Sequence, residues 1–464
     1  MKSILLVNPH LQFQSEFGGR SSLPRSREYL LNMGLLSLAT YIQACGHNVN
    51  LIDTSMTDYP YKDYVDAIYE YHPTVIGISN QSCYSYQATK KFADMARVIL
   101  PDCKIVVGGL HAGGLAKTLL DEYPSIDIVV VGEGEIAMQD IINGVYNSPC
   151  TITPYGRHLI ISGTRLLDMN EVPPLDYRLY PSYKKFVPYV EESRGCVAGC
   201  VYCTSPVIHK RIRIKPPEEL VSDVALLRSL YGNDGFHFYM EANNFGVNHR
   251  KVDKLCSMMD GTGISWRTES RCDTFPIHLL DNLVDSGMRV LDIGLESGSH
   301  EMLLRMNKTK APSHYFNRCI DIAEAIAKND RCLLKLNVML YYGETRRTIQ
   351  ETRAFIQYLA GIGPIAIGVG PVNMYPGTKM FDPEFDFSWF KGTFWDEVHS
   401  YPLNLSNEVS FDDASTICME IAQEFQTSRT YFEAKRHSQL RYDITYEEFM
   451  KESEDVPPAL RQLH

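Results

Sequence analysis

The sequence predicts an α/β protein built in two successive strand–helix runs and closed by a helical C-terminal segment. Two observations predict this class. Short apolar runs fit for buried parallel strands alternate with segments carrying apolar residues at helical spacing, first over residues 1–145 and again over 191–380. Between the runs lies a proline-bearing stretch, 146–190, and after the second run the alternation gives way to aromatic and then charged sequence, 381–464. A chain of 464 residues is long enough for two or three domains, each with its own core.

Composition narrows the setting. Hydrophobic residues make up 44% and charged residues 22% of the chain, as in an ordinary soluble globular protein. A net charge of -11 argues against a duplex nucleic-acid partner, which needs a basic footprint. The run His209-Lys-Arg-Ile-Arg-Ile-Lys215 is the one local exception, and it reads as a solvated strand. Twelve cysteines, three clustered and nine scattered, fit a reducing cytosol better than a disulfide scaffold, so a cytoplasmic location is expected. The N-terminal apolar run stops at Asn8-Pro9-His10, too early for a signal sequence, and no apolar stretch approaches the ~18 residues of a membrane span.

In the first run, Ile4-Leu-Leu-Val-Asn8 is the opening strand, and 33–45 is a helix with Leu35, Leu36, Ala39 and Ile42 on one side and Gly46 as its stop. Val49-Asn-Leu-Ile-Asp53, Val75-Ile-Gly-Ile-Ser79, Lys104-Ile-Val-Val-Gly-Gly109 and Ile126-Asp-Ile-Val-Val-Val131 continue the strands, with helices at 64–71 and 86–100. This is a doubly wound, Rossmann-like sheet, whose ligands lodge at the carboxyl ends of the strands. Those ends carry Asn8-Pro9-His10, Ser79-Asn80-Gln81-Ser82, Gly108-Gly109-Leu110-His111 and Gly132-Glu133-Gly134-Glu135, where glycines let a large ligand approach the backbone. Residues 146–190 read as a linker, with Pro173, Pro174 and Pro181 favouring extended chain.

The second run opens on Glu192-Ser-Arg-Gly-Cys196-Val-Ala-Gly-Cys200-Val-Tyr-Cys203. Three thiolates spaced C-x3-C-x2-C suit three corners of a [4Fe–4S] cluster, leaving the fourth iron open. The rival is a zinc knuckle, for which His209 is the only near fourth ligand. Strands follow at 235–240, 264–271, 290–298, 333–340 and 365–370, separated by helices, and are read as a partial (β/α)6 barrel with its chemistry at the strand ends. Beyond 380, the aromatics Phe385, Phe387, Trp389, Phe390, Phe394 and Trp395 precede helices at 414–433 and 446–452 and a frayed tail, 455–464. This segment is read as capping the open side of the barrel and the substrate pocket.

The cysteine loop, with Tyr202 before its last cysteine, resembles the signature of the radical S-adenosylmethionine (SAM) superfamily. The resemblance implies that Cys196, Cys200 and Cys203 hold the cluster, that its open iron chelates SAM, and that one electron cleaves SAM to a 5′-deoxyadenosyl radical. It further implies SAM contacts from Tyr202, from Glu296 in Ile-Gly-Leu-Glu-Ser-Gly, and from Arg267, whose guanidinium suits a carboxylate. Glu241 and Asn243 stand where an acidic pair is more usual. For Arg267 and Glu241 a plain salt bridge at the barrel rim is the alternative, and for Lys308 in Met306-Asn-Lys308 a solvated helix end.

The Asn-Pro start, Met33-Gly-Leu-Leu-Ser-Leu-Ala-Thr-Tyr-Ile-Gln-Ala-Cys-Gly-His47, Val107-Gly-Gly-Leu-His-Ala112 and Val131-Gly-Glu-Gly-Glu135 resemble the cobalamin-binding domain that precedes some radical SAM cores. This implies a cobalamin site on Asn8, Ser79, Asn80, Gly108, Gly109, His111, Gly132 and Glu133. The D-x-H-x-x-G motif is absent, so histidine is not expected on the lower cobalt face. The alternative is a relic domain that keeps the fold and binds nothing.

The function implied is a cobalamin-dependent radical SAM enzyme that methylates an unactivated carbon of a small organic substrate in a biosynthetic pathway, drawing electrons from a flavodoxin or ferredoxin. A non-methylating cyclisation, ring contraction or heteroatom insertion is the nearest alternative. From another class comes a non-catalytic iron–sulfur redox or sensing protein.

Overall fold

Strand β1, Ser3–Asn8, points Ile4 and Leu6 to one face and Leu5 and Val7 to the other, and all four are fully buried. A strand apolar on both faces is stable only inside a sheet that is covered on both sides. Accordingly β1 lies among β2 (Asn48–Asp53), β3 (Val75–Ser79), β4 (Lys104–Gly108) and β5 (Ile128–Val131), all parallel, in the order β2-β1-β3-β4-β5. Helices Met33–Ala44 and Glu135–Asn143 pack on the Ile4 face; Pro60–Tyr71, Tyr86–Ile99 and Ala116–Glu122 pack on the Leu5 face. The structure is a computed structural model describing residues 1–10, 31–82, 85–145, 150–162, 165–209, 211–232, 236–373, 375–381, 404–437 and 444–452. The aromatics from Phe385 to Trp395 and the tail 455–464 lie outside the described residues.

Residues 146–190, read above as linker, hold more structure than that. β6 (Thr151–Tyr155) and β7 (His158–Ser162) form a hairpin, and β7 extends the first sheet by pairing parallel to β5. Pro154 masks the signal, but it sits on the outermost strand, where a residue without an N–H is tolerated. The chain that follows forms a wall between the two halves. Tyr177, Tyr180 and Phe186 are buried, Tyr180 Oη donates to Asp53 Oδ2 at 2.6 Å, and Asp176 N donates to Thr40 Oγ1 at 3.1 Å. The core on the Ile4 face is therefore continuous with that of the second half.

The second half begins with β8 (Tyr189–Glu191), a strand too short to show a period, held at Tyr189 N by Tyr177 Oη at 2.9 Å. β9 (Ser193–Arg194) pairs antiparallel with β10 (Arg213–Ile214). β11 (His237–Glu241), β12 (Ser265–Ser270), β13 (Met288–Glu296), β14 (Leu333–Leu340) and β15 (Ile365–Pro371) complete six parallel strands in the order β8-β11-β12-β13-β14-β15. Among the described residues β8 and β15 do not pair, so the barrel is open on one side.

The helix expected over 414–433 is two helices, Phe411–Phe425 and Ser428–Arg436. Thr427 caps the second by accepting from Thr430 N. At the break, Gln426 Oε1 accepts from Ile367 N at 2.7 Å and so occupies part of the exposed edge of β15. The second helix turns its last carbonyls into the barrel: Ala434 O accepts from Arg267 Nη1, and Arg436 O lies 2.5 Å from His237 Nε2. Among the described residues no helix is long and apolar enough to cross a membrane.

The seam between the halves is tight at one glycine. A Cβ on Gly114 would stand 2.2 Å from the backbone of Pro376, beyond the end of β15, whereas one on Gly361 would meet nothing within 4 Å. Gly114→Ala is expected to lose about 1–3 kcal/mol by overpacking. Gly361→Ala, inside a helix, is expected to be neutral or to gain up to about 1 kcal/mol. Urea unfolding of the two variants beside the parent checks both.

Candidate functional site

The cysteine loop is shaped by what it touches. Gly195 has φ +89°, and a Cβ there would meet Arg211 O at 2.3 Å, so only glycine fits before the first cysteine. The segment after β13 pins the loop: Val201 N donates to Met306 O at 3.1 Å and Asn307 Nδ2 to Gly199 O at 2.6 Å. Each sulfur accepts one N–H at 3.4 Å, Cys196 from Ala198 N, Cys203 from Ser205 N, and Cys200 from Arg271 Nη1. Such donors stabilise thiolates at a cluster. His209, the fourth ligand the zinc reading needs, has its Nδ1 2.7 Å from Glu133 Oε1. The residues of the loop therefore fit a [4Fe–4S] cluster with one open iron better than a closed zinc site.

Between the sheet and the barrel lies a cavity of about 1620 Å³. Pockets for one small ligand run to roughly 300–1,000 Å³, so this one has room for more than one. Asn8, Ser79, Gly108, Gly109, Gly132 and Glu133 line it from the sheet, and Glu191, Ser193, Glu241 and Asn243 from the barrel. Thr204, next to Cys203, carries it to the edge of the cysteine loop. Asn32, the cap of helix Met33–Ala44, orients two of these residues, its Nδ2 donating to Asn8 Oδ1 at 2.9 Å and Ser79 Oγ at 3.1 Å. Gly108 and Gly132 present backbone with no Cβ, a floor open to a broad, flat group. These residues fit a corrinoid.

Three predicted residues lie away from this cavity, and a fourth, Gly109, lines it while also being required by the fold. Asn80 is fully buried away from the cavity lining, donating to Ser85 Oγ and Thr89 Oγ1 at 3.2 Å each. His111 is buried against the Tyr86 ring, 5.5 Å between centroids. Gly109 lines the cavity, but what forbids a side chain there is the Asn80 carbonyl 2.5 Å from any Cβ, with φ at +105°. Arg267 lies inside the barrel, where Nε and Nη2 grip Asp292 and Nη1 holds Ala434 O. Its guanidinium is occupied by a buried ion pair, which corrects the expectation that it meets the SAM carboxylate.

Glu296 sits in a bulge at the end of β13 with φ +64°, a left-handed backbone that a non-glycine residue adopts at a cost of about 1–3 kcal/mol. Its Oε1 accepts from Lys308 Nζ at 2.9 Å. Lys308 is buried, against the alternative of a solvated helix end: its Nζ donates to Glu296 and its carbonyl accepts from Arg271 Nη2 at 2.6 Å, which holds that segment against the loop. Tyr202 lies beside Glu296 and Cys200, its ring 6.2 Å from that of Tyr341. At the end of β11, burial, reinforced by Glu269 and Glu191, pushes the Glu241 carboxyl up to about 8.

The basic run is divided: Arg211 is exposed, 3.1 Å from Asp168, whereas its later cations are not. Arg213 and Lys215 are buried; Lys215 pairs with Asp223 at 2.7 Å, and Arg213 with Glu133. Arg194, two residues before Cys196, donates to Glu133 Oε2 at 3.3 Å, Glu135 Oε1 at 2.8 Å and Glu191 Oε1 at 2.7 Å. Glu133 thus ties the end of β5 to the approach to the cysteine loop. Burial alone would raise its carboxyl, but His209, Arg213 and Arg194 outweigh that and hold it at about 2. Sequence reading gave no role to Arg194, Arg213 or Arg271. The only signals were that Arg194 precedes Gly195, Arg271 precedes Cys272, and Arg213 stands between two isoleucines.

Two family models match the chain, one described as B12 binding domain over residues 25–142 and one as radical SAM superfamily over residues 190–356. An uncharacterised methyltransferase of Pyrococcus horikoshii is 26% identical over 366 residues, 75% of this chain and 77% of that protein. The cytidylyl-2-hydroxyethylphosphonate methyltransferase of Streptomyces wedmorensis is 23% identical over 427 residues, 78% of each. Among solved structures, the radical S-adenosylmethionine methyltransferase TsrM of Kitasatospora setae, with cobalamin and a [4Fe–4S] cluster bound, superposes with a TM-score of 0.65 at 15% identity, covering 90% of this chain and 85% of that one.

Glu133→Gln leaves Arg213 buried without its carboxylate, while Arg194 keeps Glu135 and Glu191, so the variant is expected to lose about 3–5 kcal/mol. Because its carboxyl titrates at about 2 rather than at its ordinary 4.5, Glu133 stabilises the fold fully above pH 4.5, and that contribution disappears as pH falls toward 2. Guanidinium unfolding from pH 2 to pH 7 should show this acid loss in the parent and a flatter profile in Glu133→Gln.

Proposed function

The chain belongs to the cobalamin-dependent radical SAM enzymes, and from that premise we propose that it methylates an unactivated carbon of a small organic substrate, drawing the methyl group from methylcobalamin in a biosynthetic pathway. The observation that carries this reading is the single cavity floored by the strand ends of the B12-binding half and roofed by those of the barrel, reaching Thr204 beside Cys203. Its volume of about 1620 Å³ accommodates a corrinoid and a substrate together. Two of the similar proteins are named as methyltransferases, which supports methyl transfer over rearrangement.

When bound, the cluster supplies the electron that splits SAM and the cobalamin supplies the methyl group. The chain's own residues hold and shield the reactants. Cys196, Cys200 and Cys203 would hold the cluster. Glu241 and Asn243 face the cavity, and an ammonium group arriving beside Glu241 would favour its ionised form against the burial that raises it. Glu296 is held by Lys308 at Oε1 and by the Tyr202 side chain beside it, and its carboxylate would be the acceptor for a hydroxyl or ammonium group of SAM. Tyr431 and Lys435, on the helix that enters the open side of the barrel, line the cavity at that end.

Anaerobic reconstitution with iron, sulfide and hydroxocobalamin, followed by turnover with SAM labelled at the methyl group, tests this. The expected outcome is corrinoid absorbance on the protein, 5′-deoxyadenosine on reduction, label in the product, and loss of SAM cleavage to background in Cys200→Ala. Deoxyadenosine with unlabelled product would assign a rearrangement or cyclisation instead. No SAM cleavage in the loaded protein would leave an iron–sulfur redox or sensing protein.

A further inference from the structure

Arg271 lies just past the end of β12 and is 8% exposed. Its guanidinium is divided among three partners. Nε and Nη2 pair with Asp273 at 2.9 and 2.7 Å, Nη2 also reaches Lys308 O at 2.6 Å, and Nη1 donates to Cys200 Sγ at 3.4 Å. The three sulfurs are therefore not equivalent. Those of Cys196 and Cys203 accept from neutral main-chain amides of the loop itself, whereas that of Cys200 accepts from a cation held by another strand. Cys200 is also the buried member of the three.

Reduction of a cluster by one electron adds a negative charge shared over its sulfurs. Hydrogen bonds to sulfur and nearby positive charge favour that state, and burial strengthens both because little water screens them. Charge-assisted hydrogen bonds are roughly twice as strong as neutral ones. We propose that Arg271 sets the reduction potential of the cluster through its hydrogen bond to Cys200 Sγ, with Asp273 as the opposing charge that limits its pull. The inference rests on the reading of Cys196, Cys200 and Cys203 as the cluster ligands. It makes Arg271 a positioning residue that acts through Cys200, and it ties the ease of reduction to a contact between β12 and the cysteine loop.

The test is a redox titration of the anaerobically reconstituted full chain, followed by electron paramagnetic resonance of the reduced cluster, with iron and sulfide measured on each sample. Arg271→Gln should lower the reduced-to-oxidised ratio at fixed potential about tenfold, a shift of about 59 mV for a one-electron couple. Asp273→Asn, which frees the guanidinium from its carboxylate, should move the midpoint the other way. Arg271→Lys, which keeps the charge and loses the planar fork, should fall between the parent and Arg271→Gln. Disruption of the fold alone does not produce shifts of opposite sign from the two partners of one ion pair.

An intact cluster in Arg271→Gln with an unmoved midpoint overturns the proposal, as do shifts of the same sign in both variants. If Arg271→Gln takes up no cluster, Asp273→Asn decides: a raised midpoint supports the proposal, and an unmoved or lowered one overturns it. A parent chain that takes up no iron overturns the ligand reading and this inference with it, an outcome distinct from an intact cluster at an unchanged potential.

Discussion

The molecule depends on a buried exchange of charge between its halves. Arg194 and Arg213 from the second half meet Glu133 and Glu135 at the end of the first sheet, with Ser37 Oγ joining Arg194 and Glu135 at 2.8 Å each. Taking such ions out of water costs several kcal/mol apiece, and only complete pairing offsets it. A network of this kind tolerates one docking geometry and penalises every near miss. That geometry fixes the cysteine loop, two residues beyond Arg194, against the strand ends that floor the cavity. Chemistry shared between two bound groups needs their separation held closely, and here the constraint is written in ion pairs where an apolar seam could slide.

Within the barrel a second buried set of charges does a different task. Asp292 accepts from Arg267 and, at 2.9 Å, from Lys335, while Arg267 also holds the last turn of helix Ser428–Arg436. The C-terminal carbonyls of a helix carry partial negative charge, so a guanidinium beneath them is favourable. The C-terminal segment is thus anchored from inside the lumen and along the β15 edge through Gln426. Both anchors lie far from it in sequence, and both bring Tyr431 and Lys435 to the cavity.

Much of this fold is legible because local pattern and final environment agree. The strands of the first sheet are buried on both faces and read as apolar runs; the cysteine loop is local, and its spacing says what it can hold. What escaped reading is set by partners distant in the chain. β8 has three residues, and its place is fixed by Tyr177 and by pairing with β11. The hairpin at 151–162 is hidden by Pro154. The run from His209 to Lys215 looks solvated because its acids come from elsewhere, Glu133 from the first half and Asp223 from the following helix. No periodicity records such pairs, since charge alone does not reveal whether water or a carboxylate will neutralise it.

The two arginines of β12 and its exit show how a short distance along a strand changes a residue's task. Arg267 and Arg271 are four residues apart, about 13 Å at the rise of a strand. The strand ends at Ser270. Arg267 is therefore well below the rim, in a lumen where the only way to keep a guanidinium is to pair it with Asp292. Arg271 is past the rim, on the face where barrel strands end and where the loops that carry chemistry gather. Sequence pattern alone could not place the end of β12 closely enough to choose between them. The structure does so through the hydrogen bond from Arg271 to Cys200, which puts a cation from the barrel rim against a sulfur of the cysteine loop.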